Sequence, residues 1–88
     1  MYKVYIDRRV VKQINALHPC DANKVTRALD KLGEYFSTTQ DIPNLKKLSA
    51  KRHAWRLRLG NVRILFYQNE KQQWLEVYKV GYRGGIYK

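Results

Sequence analysis

Three closely spaced arginines are the most chemically distinctive feature of this sequence. Arg56, Arg58 and Arg63 lie in the run WRLRLGNVRILFY at 55–67. A guanidinium carries a permanent positive charge and binds phosphate through paired N–H groups. The cluster indicates an anionic ligand, and a phosphodiester backbone fits guanidinium geometry best. The alternative is that these arginines only solvate an exposed face.

A β-hairpin is predicted to bring the arginines together. Gly60-Asn61 separates two alternating apolar runs, which is a two-residue turn signal because both residues tolerate positive φ. The predicted cross-strand pairs are Leu59–Val62, Arg58–Arg63, Leu57–Ile64 and Trp55–Phe66. Since side chains alternate along a strand, one face is apolar and the other carries the arginines, with Leu65 and Tyr67 beside them. Like charges directly opposite one another are destabilising, which favours an anion site.

The charge balance supports a polyanionic partner. The 88 residues include 18 Lys and Arg against seven Asp and Glu, a formal net charge of +11. Such an excess favours nucleic acid, an acidic protein or an anionic membrane surface. We expect one domain over residues 1–88, and cytoplasmic localisation, because no apolar run of membrane-spanning length or signal peptide is evident. We expect no cofactor or metal, since two distant histidines and Cys20 have no zinc-ligand spacing.

The hairpin is preceded by a predicted strand and two helices. Residues 2–6 alternate as a strand, and Asp7 is a good N-cap for a helix over 8–17. Asp21 is the next N-cap candidate, for a helix that ends near Phe36. The helical stripes are Val10, Val11, Ile14 and Leu17 in the first helix, and Val25, Ala28, Leu29, Leu32 and Phe36 in the second.

Irregular structure is predicted between the second helix and the hairpin. In residues 37–52, Leu45 and Leu48 are expected to tie a loop to the core. The basic residues there either extend the positive field toward the arginines or are simply solvated; they are Lys46, Lys47, Lys51 and Arg52. Residues 74–80 read as a central strand, apolar on both faces. The result is an α+β fold with both helices on one face of an antiparallel sheet of three or more strands, and the arginine face open.

Three runs of this sequence resemble a known superfamily. They are LKKL at 45–48, WRLRLGNVRILFY at 55–67 and VYKVGYRGGIYK at 77–88. Together they are similar to the RelE/ParE toxins of bacterial and archaeal type II toxin–antitoxin systems. The resemblance implies a microbial-ribonuclease-like fold and ribosome-dependent cleavage of mRNA. It also implies a cognate antitoxin that wraps the toxin, and contact with operator DNA only through the toxin–antitoxin complex.

The resemblance also suggests roles for individual residues. Arg63 and Arg83 would hold the scissile phosphate, while Arg56 and Arg58 would stabilise charge and grip the RNA. Tyr87 would orient or deprotonate the 2′-hydroxyl, or stack on a base. The predicted RNA-binding residues are Lys46, Lys47, Lys51, Arg52, Tyr67 and Tyr82.

The sequence departs from the superfamily pattern at its end. Tyr82 stands where many relatives have His, and Gly84-Gly85 where they have Arg-Glu. Because arginine does not usefully release a proton, Tyr87 is the best candidate for a general base or acid, with His53 a weaker substitute. Two other functions stay open: a ParE-like inhibitor of DNA gyrase, and a non-catalytic RNA- or ribosome-binding module. The late tyrosine favours RNA cleavage over gyrase inhibition.

Overall fold

Two helices and five strands make up residues 2–37, 44–49 and 53–82, the part of the chain that the computed structural model describes. In chain order they are β1 (Lys3–Ile6), α1 (Arg8–Asn15), α2 (Pro19–Ser37), β2 (Leu45–Ser49), β3 (Ala54–Leu59), β4 (Val62–Asn69) and β5 (Trp74–Tyr82). The predicted α+β class is confirmed.

The strands form one mixed sheet in the order β1-β5-β4-β3-β2. β1 runs parallel to β5, and the other neighbouring strands are antiparallel. As predicted, β5 is an interior strand, although it continues to Tyr82. The expectation of irregular structure at 45–49 was wrong, because β2 pairs with the open edge of β3. Leu45 packs against the core as expected, whereas Leu48 is exposed and does not anchor this segment.

The helix boundaries follow local capping chemistry. The N-cap prediction for Asp7 is confirmed, since its Oδ1 accepts a hydrogen bond from the Val10 N–H at 2.9 Å. α1 ends two residues earlier than predicted, at Asn15. The prediction that Asp21 caps α2 was wrong: the helix begins at Pro19, where a missing N–H costs nothing, and Asp21 lies in its first turn.

The core lies between the helices and one face of the sheet. The buried apolar residues include Val10, Ile14, Leu17, Val25, Leu32, Leu57, Val62, Ile64, Phe66, Leu75, Val77 and Val80. This confirms both helical stripes, with one exception. Val11 is largely exposed, because only Val10, Ile14 and Leu17 keep the i, i+4, i+7 spacing that faces the sheet. In the described residues, no helix covers the other face of the sheet, and none is long and apolar enough to cross a membrane.

Candidate functional site

The hairpin that positions the arginines has the register predicted from the sequence. All four predicted pairs form, with Arg58 opposite Arg63. Gly60 has a φ of 61°, while Asn61 does not have a positive φ. Positive φ at the first turn position alone is the pattern of a type II′ turn, whose twist matches the flanking strands. The turn therefore fixes the alternation that places the three arginines on one face.

Five basic residues meet on that face, which we call the cationic face. Across the strands, Lys46 lies beside Arg56, and Lys79 occupies the same row on β5. Arg58 and Arg63 form the next row toward the hairpin turn. Neighbouring strands are about 4.8 Å apart, so these side chains form one patch that spans four strands. Such a patch attracts polyanions.

Arg63 lies at the centre of the patch and is held by the backbone. Only 5% of its surface is exposed, and its strand, β4, is an interior strand flanked by β3 and β5. Its Nη1 donates hydrogen bonds to the carbonyl oxygens of Gly60 at 3.0 Å and Val62 at 3.4 Å. Its buried Nε has no hydrogen-bond partner among the described residues. The guanidinium is therefore held in place by its Nη1, while its Nε–H donates no hydrogen bond to the described residues.

Arg58 is held by Asn44, the residue that precedes the edge strand β2. Its Nη2 donates a hydrogen bond to Asn44 Oδ1 at 3.2 Å, and its backbone N–H donates to the Asn44 carbonyl oxygen at 3.1 Å. Asn44 takes a positive φ of 66°, which asparagine tolerates better than most residues. The side chain of Arg58 remains exposed, so it is available to a ligand while its strand is fixed.

A β-bulge in β5 adds two residues that sequence reasoning missed. Val77 and Val80 both face the core although they are three residues apart, and the register with β4 shifts between them. Tyr78 and Lys79 between them therefore both lie on the cationic face. The Tyr78 ring stacks on that of Tyr67, with centroids 4.3 Å apart. Two valines three residues apart within an apolar strand were the available signal.

Two residues predicted to bind RNA do not lie on the cationic face. Lys47 is in register with Trp55, and its Nζ lies 5.4 Å from the centroid of that indole ring on the helix side of the sheet. Tyr82 donates a hydrogen bond from its hydroxyl to Asp21 Oδ2 at 2.8 Å and accepts one from the His18 N–H at 2.9 Å. The structure thus gives Tyr82 a role at the start of α2.

The remaining predicted site residues divide into two groups. Tyr67 is on the cationic face, while His53 is exposed at the start of β3 with a φ of 50°. Four predicted residues lie outside the described part of the chain: Lys51, Arg52, Arg83 and Tyr87. Within the described part, no group of three or more His, Cys, Asp or Glu side chains could hold a metal ion. The chemistry available on this face is fixed positive charge beside tyrosines.

Comparison with solved structures gives strong matches over nearly the whole chain. The RelE–RelB complex of the archaeon Pyrococcus horikoshii matches with a TM-score of 0.78 and 26% identity, over 97% of this chain and 98% of that one. The RelB–RelE complex of Methanococcus jannaschii matches with a TM-score of 0.73 and 18% identity, over 93% of each chain. A RelBE toxin–antitoxin complex of Mycobacterium tuberculosis gives 0.71 and 18%, over 93% and 98%.

These structural matches confirm the predicted resemblance to RelE toxins. Comparisons with protein-family models and with curated protein sequences give no match. The relationship is therefore carried by the fold, at 18–26% sequence identity to these three structures.

Proposed function

We propose that this RelE-like chain is the toxin of a toxin–antitoxin pair, and that it cleaves mRNA on the ribosome. The observation that carries the proposal is the cationic face, with Arg63 fixed at its centre, on a fold shared with RelE proteins. In this view residues 1–88 are a single toxin domain. A chain with a net charge of +11 and five basic residues on one face of its sheet is suited to an RNA substrate.

The proposed reaction uses a nucleophile that the RNA supplies. The 2′-oxygen attacks the adjacent phosphorus, the bond from phosphorus to the 5′-oxygen breaks, and a 2′,3′-cyclic phosphate and a 5′-hydroxyl result. One proton leaves the 2′-hydroxyl and one is delivered to the 5′-oxygen. Fixed guanidinium groups would stabilise the extra negative charge of the pentacovalent transition state. We assign this role to Arg63 and Arg83, and the movement or orientation of the 2′-proton to Tyr87.

The basic residues around Arg63 would bind the flanking phosphates. Arg56, Arg58 and Lys46 occupy adjacent positions on β2 and β3, as expected for a surface that grips an extended strand. Lys79 joins this group through the bulge. Lys51 and Arg52 stay assigned to RNA binding as sequence predictions.

The proposed regulator is a cognate antitoxin. The matched structures from Pyrococcus, Methanococcus and Mycobacterium are all complexes of RelE with RelB. For this chain we propose an acidic or amphipathic partner that neutralises the toxin, with operator DNA bound only through the complex. Opposite charge on the partner would speed association with the basic toxin.

A non-catalytic RNA- or ribosome-binding module is the second candidate. It is favoured by the fact that the centre of the described cationic face contains arginines and lysines, which grip phosphates without proton transfer. A ParE-like gyrase inhibitor would share the fold but would not need an arginine–tyrosine phosphate site. Of the three functions, only the first cuts RNA.

Mapping of mRNA 5′ ends in bacteria that express the chain tests the proposal. We expect growth arrest and codon-phased cuts in translated messages with the wild type. Arg63→Lys keeps the charge but loses the planar fork, and should reduce cutting at least about tenfold. Arg83→Ala combined with Tyr87→Phe should abolish it. Arg27→Ala, an exposed position on α2, is the matched control and should cut like the wild type.

Each alternative gives a different pattern. Growth arrest without cuts would contradict the nuclease and would lead to a supercoiling assay for gyrase inhibition. Neither arrest nor cuts would leave the binding module. Cuts that persist in the Arg83→Ala/Tyr87→Phe variant would keep the nuclease but reject our assignment of its residues.

A further inference from the structure

We propose that Tyr5, Trp74 and Glu76 form a pocket for one unpaired nucleobase of the RNA, at the end of the cationic face away from the hairpin turn. This inference rests on the proposed function only in that single-stranded RNA is the ligand. It adds a base-binding site to a face whose other contacts are with phosphates.

The pocket is built where β1 adds to β5. It is an open depression of about 320 Å³ lined by Tyr5, Trp74 and Glu76. Both rings are unusually exposed for large aromatic side chains, Tyr5 at 47% and Trp74 at 37%. Their centroids are 5.7 Å apart and their planes are nearly perpendicular, at 86°. A base that stacks on one ring would place its edge against the other.

The position of the pocket relative to the phosphate-binding residues favours a nucleic acid over an apolar peptide. Tyr5 and Glu76 are in register across β1 and β5, and Tyr67 continues the same row on β4. Lys79 lies five positions from Trp74 along β5, about 17 Å at the usual rise per residue. The Tyr67–Tyr78 stack lies on the same face, so a single strand bound by the arginines has an aromatic path to the pocket.

Charge near the pocket has a pattern that suits a nucleotide. Lys3 is in register with Trp74 across β1 and β5, so a basic residue adjoins the pocket on the same face of the sheet. Glu76 is an acid on an otherwise basic face and lines the pocket itself. A carboxylate accepts hydrogen bonds from the amino groups of adenine and cytosine, whereas uracil offers a carbonyl oxygen at that position. The pocket should therefore prefer adenine or cytosine to uracil.

Binding of non-cleavable oligomers tests the inference without any chemical step. The probes are a fluorescent 2′-O-methyl oligoadenylate and an abasic oligomer of equal length, which has the phosphates but no bases. We expect Trp74→Ala to weaken binding of the oligoadenylate roughly tenfold, the size of one lost stacking contact, and to leave abasic binding unchanged. Tyr35→Ala, an exposed tyrosine on α2, is the control and should change neither.

A second variant tests base preference. The wild type should bind oligoadenylate more tightly than oligouridylate, and Glu76→Gln should reduce that preference because an amide can also donate to the uracil carbonyl. Arg58→Ala should weaken binding of oligoadenylate and abasic oligomer alike, since it removes only a phosphate contact.

The outcomes separate this inference from the proposed function. Equal binding of Trp74→Ala and wild type to the oligoadenylate, or an equal loss on both probes, would overturn the base pocket, as would no binding of either probe by the wild type. If Trp74→Ala weakens binding of the oligoadenylate only, but the wild type cuts no mRNA, the pocket stands and the nuclease is rejected. If the wild type cuts mRNA in cells but its binding does not depend on bases, the nuclease stands and the pocket is rejected.

Discussion

At the scale of single residues, the surroundings of each basic side chain decide what it can do. Arg63 is almost fully buried and is oriented by two backbone carbonyls, whereas Arg58 is exposed and held from Asn44. A fixed charge needs little reorganisation when negative charge develops nearby. The buried arginine is therefore suited to the reacting phosphate, and the exposed one to a phosphate of the flanking strand.

Tyr82 provides a prediction at this scale. Tyr82→Phe removes the hydroxyl that bridges Asp21 and the His18 N–H, and should lower the free energy of unfolding by about 0.5–1.5 kcal/mol. Binding of 2′-O-methyl oligoadenylate should not change, because this hydroxyl is on the helix side. Urea unfolding and fluorescence anisotropy measure the two effects, with Asn23→Ala, at an exposed site on α2, as control. Weaker RNA binding at unchanged stability would restore Tyr82 to the RNA-binding residues.

At the scale of elements, a β-bulge and a hydrogen bond between helix and strand shape β5 around the site. The bulge in β5 directs Tyr78 and Lys79 to the cationic face. Beyond Val77, where β1 has ended, the Val80 N–H donates to Gln13 Oε1 at 2.8 Å, so α1 satisfies an edge that β1 leaves open. Helix and bulge together keep β5 in the geometry that the face requires.

The substitution Gly33→Ala tests how closely α2 must approach the start of β1. The Tyr2 N–H donates to the Gly33 carbonyl oxygen at 3.4 Å, and a Cβ at this position would collide with the Tyr2 carbonyl oxygen. Alanine gains about 1 kcal/mol in helix propensity, but displacing backbone costs about 1–3 kcal/mol. We expect Gly33→Ala to lower the free energy of unfolding, by up to about 2 kcal/mol in urea. Asn23→Ala, an exposed site on α2, should stay within about 0.5 kcal/mol; a stabilised Gly33→Ala would contradict the close approach.

At the scale of the whole molecule, one face of the sheet packs against the helices and the other carries the proposed RNA-binding residues. The helices bury one face of the sheet, and the other face in the described part of the chain collects positive charge. Repulsion among these cations is a cost to the free protein that an RNA backbone would relieve. The asymmetry of the two faces is therefore a property of the entire sheet.

Salt dependence tests this charge distribution. A plot of log K for single-stranded RNA against log salt concentration should have a negative slope, to which each phosphate contact contributes about −0.7 and the five cations of the cationic face about −3.5 together. Arg58→Ala should make the slope shallower by about 0.7. Arg9→Ala, exposed on α1 on the helix side, should leave it unchanged. Titrations of the 2′-O-methyl oligomer at several salt concentrations measure these slopes, and equal slopes for both variants would reject the cationic face as the binding surface.

Local sequence patterns were enough to predict the hairpin, the two helices and the shared face of Arg56, Arg58 and Arg63. These features follow from local rules: a Gly-Asn turn, alternation along strands and 3.6-residue periodicity. The RelE resemblance was also contained in short contiguous motifs, and the structural matches confirmed it.

The other residues of the cationic face are set by contacts between distant parts of the chain. The pairing that makes 45–49 a strand, the bulge that exposes Lys79, and the contacts that carry Tyr82 to α2 all join residues far apart in the chain. The burial of Arg63 likewise depends on strands on both sides of β4. The local periodicity of the sequence does not predict such contacts, because their energy comes from backbone pairing and packing between elements rather than from neighbouring residues.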